Sequence, residues 1–155
     1  MCSRYEHFSS IISTIYRRVQ KIERDEMVKY GYKGAYAQYL SAISRHPEGL
    51  TAAQLCEICE KDKAAISRVA AEMEEKGLIR RVGTSAYRAK LVLTDEGQRL
   101  AHVVSERARV AVDLVGEGLS DSDRSIFYSV LEGIAQRLQQ VEKAGLPTET
   151  EENKQ

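Results

Sequence analysis

The 155-residue chain carries 23 basic and 23 acidic side chains, so it is formally neutral at pH 7, and 43% of it is apolar. That proportion supports a core and argues against a disordered chain, and a domain of this length buries roughly two-thirds of its unfolded surface. No apolar run approaches the ~20 residues that span a bilayer, and MCSRYEHFSS lacks the long apolar stretch of a signal peptide. A cytoplasmic protein with no membrane partner is expected, its three cysteines kept mostly as thiols.

From about Tyr5 to Lys29, Phe8, Ile11, Ile12, Ile15, Val19 and Ile22 recur at spacings of three and four, the stripe of an amphipathic helix. Gly31 and Gly34 break it. A second helix carries Ala35, Tyr36, Tyr39, Leu40 and Ile43 on one side and ends at His46-Pro47-Glu48-Gly49. Thr51 and Gln54 form a capping box for a short third helix, Ala52 to Cys59. Asp62 caps a fourth, Lys63 to Lys76, whose inner face is Ile66, Val69, Ala70 and Met73 and which Gly77 ends. Two strands are predicted next, Leu78 to Val82 and Ala89 to Leu93, around Gly83-Thr84-Ser85. Thr94-Asp95 starts a fifth helix to about Gly116, apolar over much of its circumference and so expected to be buried on more than one side. Ser120 and Asp123 start a sixth, with Phe127, Val130, Leu131, Ile134, Leu138 and Val141. The polar end, 147–155, is expected to be disordered.

A short helix joined through a tight connector to a longer capped one is a helix-turn-helix, whose second helix reads the major groove. The outward positions of that helix are Lys63, Ala64, Ala65, Ser67 and Arg68. The two cations suit phosphate or guanine, serine bonds to either, and the alanines permit close approach to a thymine methyl. Charge distribution agrees. From Lys61 to Leu93, eight basic residues (Lys61, Lys63, Arg68, Lys76, Arg80, Arg81, Arg88, Lys90) face four acids (Asp62, Glu72, Glu74, Glu75), a local positive excess in a neutral chain. With Thr51, the hairpin residues Arg80, Arg81, Arg88 and Lys90 complete the expected DNA surface, Arg88 being placed to enter a minor groove.

The stretch GLTAAQLCEICEKDKAAISRVAAEMEEKGLIRR, followed by AYRAKLVLTDEGQRLA, resembles the MarR family of bacterial regulators. The resemblance implies a mainly α winged helix-turn-helix with a two-stranded β wing. Long terminal helices would intertwine as a homodimer, so that two winged parts meet a palindromic site in double-stranded DNA. One regulator domain over 1–146 follows, with the DNA-binding part at about 35–93 and dimerisation helices at about 5–30 and 95–145. Phe8, Ile11, Ile12, Ile15, Val130, Ile134 and Leu138 are the dimer contacts so implied. Two departures stand out: Glu60 and Lys61 replace the family's usual glycine and apolar residue before the recognition helix, and Ala86 replaces a wing aspartate.

Six tyrosines fall in the first 39 residues. They either pack between helices or, as the resemblance suggests for Tyr16, Tyr36 and Tyr39, line a pocket for a small aromatic or apolar effector. Cys56 and Cys59 form a C-x-x-C string that reads as small apolar packing or as a redox pair; no second cysteine pair or neighbouring histidine completes a zinc set. Neither a catalytic constellation nor a cofactor motif is found. A sequence-specific regulator, probed against a thiol-switched regulator and a winged-helix interaction module without DNA, is the expected function.

Overall fold

The computed structural model describes residues 3–83 and 88–146. The elements, in chain order, are α1 (Arg4–Lys29), α2 (Tyr36–Ser44), β1 (Leu50–Thr51), α3 (Ala52–Cys59), α4 (Lys63–Glu75), β2 (Ile79–Val82), β3 (Lys90–Leu93), α5 (Asp95–Val115) and α6 (Asp121–Ala144). The expected fold class holds, with one addition. The sheet has three antiparallel strands in the order β1-β3-β2, because Leu50 and Thr51 pair with Leu91 and Lys90. The expected disordered end, 147–155, lies outside the described residues, as do Thr84–Tyr87 at the hairpin tip.

The described residues up to Val112 form one compact unit and those from Asp113 a second. The core of the first unit is built from Met27, Tyr36, Leu40, Ile43, Leu55, Ile66, Met73, Leu78, Leu91 and Leu100. Helix periodicity supplies these from α2, α3, α4 and α5, and strand alternation supplies them from the sheet. Ile79, Leu91 and Leu93 point inward, while Arg80, Val82, Lys90 and Val92 share the other face by register. Only the C-terminal half of α1 joins the core, through Met27. Glu26, its side chain mostly buried, pairs with Lys29 and approaches Arg107 of α5 at 3.8 Å.

Helix α5 buries a single stripe, Gly97, Leu100, Val104 and Ala108. Val110, Val112, Leu114 and Val115 of the same helix are exposed in the single chain. In the second unit, Ser120 accepts the Asp123 amide and caps α6, and Arg124 Nη2 donates to the Gly116 carbonyl at 3.0 Å. None of the described residues of α6 is buried.

The start of α5 is held against the end of α4 without slack. Thr94 Oγ1 donates to the Gly77 carbonyl and accepts the Gly97 amide at 3.1 Å. A Cβ on Gly97 would stand 1.9 Å from the Leu78 carbonyl oxygen, which is backbone and cannot swing away. Alanine in a helix is favoured over glycine by about 1 kcal/mol, but forcing atoms into a filled site costs about 1–3 kcal/mol, and here the obstacle is rigid. Gly97→Ala is therefore expected to lower the free energy of unfolding by about 2 kcal/mol, read from urea titration followed by circular dichroism; an unchanged midpoint would refute the close approach.

Candidate nucleic-acid interface

Helix α4 begins where the chain turns sharply after α3. The Lys61 amide donates to the Cys56 carbonyl at 3.1 Å and the Glu60 amide to the Glu57 carbonyl at 3.3 Å, closing the end of α3. Glu60 is left-handed, at φ 51° and ψ 46°, and is the one non-glycine residue with positive φ among those described. Asp62 then accepts the Ala65 amide at 2.8 Å, capping α4. The departure from the family's glycine thus falls on the residue that needs a glycine's backbone.

From this start, α4 buries Ile66, Ala70 and Met73 and exposes Lys63, Ala64, Ser67 and Arg68, with Ala65 partly covered. The five expected contact residues therefore lie on the outward side of its first two turns. Two carboxylates of the same helix bond to other parts of the chain. Glu72 accepts Lys33 Nζ at 2.7 Å and the Tyr36 hydroxyl at 2.9 Å, and these bonds hold it below the usual carboxylate range. Glu74 accepts Arg81 Nε at 3.0 Å. Burial, helped by the Glu72 carboxylate, pushes the Tyr36 phenol up to about 12.

The hairpin residues divide. Arg81 braces β2 against α4 through Glu74. Arg80 points to the opposite face and lines a cleft of about 510 Å³ with His46, Gln98 and His102. Lys90 is half-buried on that same face, opposite Thr51 and Val82. Thr51 spends its hydroxyl on the α3 capping box, accepting the Gln54 amide at 3.3 Å. Arg88 is exposed just after the hairpin tip, which lies outside the described residues. The positive band is therefore not one surface: α4 keeps its cations together, and the sheet distributes Arg80 and Arg81 to two faces.

Tyr36 and Tyr39 are buried in the core, at 1% and 5% exposure, and line none of the clefts described here. Tyr16 does line one, of about 460 Å³, with Glu23, Gln38, Arg45 and Cys59 among its neighbours. The spacing of Tyr36 and Tyr39 reports a shared buried face, whether that face meets protein or ligand.

Residues 30–86 match the model of the MarR family. Over that stretch the chain is similar to the MarR family. Solved structures carry the same fold over most of the length. A MarR family protein from Bacillus stearothermophilus is 19% identical, with a TM-score of 0.75 over 86% of this chain and 94% of that one. A MarR regulator from Methanosarcina mazei Go1 is 20% identical, with a TM-score of 0.75 over 91% and 94%. A MarR family regulator from Listeria monocytogenes, complexed with 26mer DNA, is 19% identical, with a TM-score of 0.70 over 90% and 95%. No curated protein sequence matches the chain. No helix among the described residues is long and apolar enough to cross a membrane.

The α3–α4 turn allows a direct test. Glu60→Gly is expected to raise stability by about 1 kcal/mol, because a left-handed backbone costs a side-chain-bearing residue about 1–2 kcal/mol. Asp62→Ala should lower it by about 1 kcal/mol by removing the cap. Both are read from urea midpoints; a loss of stability in Glu60→Gly would contradict the strain assigned to that position.

Proposed function

We propose that this protein is a homodimeric, sequence-specific transcriptional regulator acting as a repressor at a palindromic operator. The observation that carries the reading is the outward side of α4: Lys63, Ala64, Ser67 and Arg68 are exposed while Glu72 and Glu74 are bound to other partners. Exposed cations suit phosphate and guanine, serine bonds to either, and the alanine lets the helix approach. Arg88 would add a minor-groove contact, and Thr51, Arg80, Arg81 and Lys90 would act as flanking charges or hydrogen-bonding groups. The complex of the Listeria regulator with DNA supports the choice of partner.

Dimerisation rests on apolar surface. Phe8, Ile11, Ile12 and Ile15 are exposed along one stripe of α1, and Val130 and Leu138 along α6, with Ile134 partly covered. Contiguous exposed apolar side chains of this kind mark a contact with another protein surface. A second copy completes the pairing that a palindromic site requires. A small aromatic or apolar effector would release the DNA by favouring a dimer whose α4 helices no longer fit two grooves. The cleft beside Tyr16 has a volume within the range of small-molecule sites.

Selection of bound duplexes from a random pool is the deciding experiment. It should return an inverted repeat with half-sites about one helical turn apart; recovery of no preferred sequence would remove the reading. Arg68→Ala should weaken the selected site by roughly 10- to 100-fold if the arginine reads a base, or reduce the salt dependence of binding by about one unit if it meets a phosphate. Replacing both Ile11 and Ile15 with Asp should yield a monomer in sedimentation velocity at micromolar concentration, and a dimer surviving that change would move the interface elsewhere.

A further inference from the structure

Arg68 and Glu72 stand one turn apart on α4, the spacing at which a base and an acid on one helix face meet. Lys21 and Asp25 have the same order and spacing on α1, and they pair. Lys29 with Glu26, Arg99 with Glu96 and Arg109 with Glu106 also pair, at three residues. Arg68 has no hydrogen bond or ion pair among the described residues, although its charge acts on the Glu72 carboxylate. Glu72 Oε2 accepts Lys33 Nζ at 2.7 Å and the Tyr36 hydroxyl at 2.9 Å. Lys33 belongs to the segment between α1 and α2, and the backbone there is held on both sides. The Lys33 carbonyl accepts the Tyr36 amide at 3.0 Å, and a Cβ on Gly34 would stand 3.1 Å from the Arg24 carbonyl oxygen of α1.

We infer that Lys33 is a positioning residue for DNA binding: by holding the Glu72 carboxylate, it keeps the Arg68 guanidinium from closing onto that carboxylate and leaves it for a base or a phosphate. The inference rests on the proposed DNA-binding role of α4. Two cations act on Glu72, Lys33 through a hydrogen bond and Arg68 more weakly, through charge alone. A carboxylate already joined to an ammonium attracts a second cation weakly, because the pair carries little net charge. Without Lys33, the carboxylate keeps its full charge, and the Tyr36 hydroxyl, being neutral, does not offset it. Arg68 is then the cation one turn away, at a spacing that closes elsewhere in this chain. A captured Arg68 must leave Glu72 before it can meet DNA, so its contact is weakened by whatever the capture is worth. Lys33 thus acts through Glu72 and then Arg68, and removing either later member should silence the first.

The test uses the full chain and the DNA site recovered by selection. Lys33→Met keeps the aliphatic stem and removes the charge from a side chain that is 62% exposed, so the fold should hold. It should weaken that site by roughly 3-fold or more, within the range for members of one ion-pair network. Lys33→Arg should restore binding. In a Glu72→Gln background, and separately in Arg68→Ala, the loss caused by Lys33→Met should largely disappear. A loss of undiminished size in Arg68→Ala overturns the inference, because Lys33 would then act on DNA by itself. Unchanged affinity in Lys33→Met overturns it as well.

The free protein gives a second reading, independent of DNA. Nitrogen-15 NMR of the arginine side chains should show the Arg68 Nε proton exchanging freely with water in the unaltered chain. In Lys33→Met that proton should be protected, and adding Glu72→Gln should remove the protection. Equal exchange in the unaltered chain and Lys33→Met would sink the inference. If the unaltered chain binds no DNA at all, the proposed function fails, and exchange at Arg68 still decides whether Lys33 governs its pairing with Glu72.

Discussion

The placement of α4 is the constraint on which the rest of the structure depends. The helix is held at its start by the closed end of α3 and the Asp62 cap, in its middle by Glu72 to Lys33 and Tyr36, and at its end by the bridge from Thr94 to Gly77. Its inner residues Ile66, Ala70 and Met73 are within the core. These ties belong to different elements, so α4 cannot rotate about its axis without breaking several at once. A reading surface needs that property, because a base-edge hydrogen bond tolerates little displacement. Glu72 and Glu74 help to hold it in place through their bonds to Lys33, Tyr36 and Arg81.

Much of this was legible in the sequence because the signals were local. The capping box at Thr51 and the caps at Asp62 and Ser120 mark helix starts through a side chain and an amide three residues on. The α3 boundaries coincide with the expected ones for that reason. What escaped is what depends on partners distant in the chain. Strand β1 has two residues, too few for any alternation, and exists only because β3 passes beside it. Placing Arg80 and Arg81 on one surface overlooks the alternation that their own strand imposes. For Tyr36 and Tyr39, periodicity identifies an inward face and says nothing of what fills it. Only the contact with Glu72, 36 residues away, shows that the Tyr36 hydroxyl is satisfied inside the protein.

The departures from the family pattern acquire a physical meaning in the same way. Glu60 occupies a left-handed position that glycine would fill without strain, and its neighbour Cys59 is the last residue of the helix. That strained turn stands directly before the Asp62 cap, so the stability lost at Glu60 falls on the segment that positions α4.

Burial is distributed unevenly, and that has consequences for how regulation would work. The residues around α4 close a core within a single chain, whereas α6 buries nothing among its described residues and the first half of α1 keeps its isoleucines exposed. Helices of such length owe most of their stability in water to packing of an apolar face, and these exposed faces find no such packing among the described residues of the chain. In the proposed dimer, the partner would supply it. Each reading head is then stiff and self-contained, while the spacing between two heads depends on helix pairing formed only on association. A ligand or a substitution acting on either part would alter DNA binding by a different route: one changes the distance between two intact surfaces, the other spoils a surface whose spacing is unchanged. The two are separable in principle, because the first affects only palindromic sites, whereas the second weakens binding to a single half-site as well.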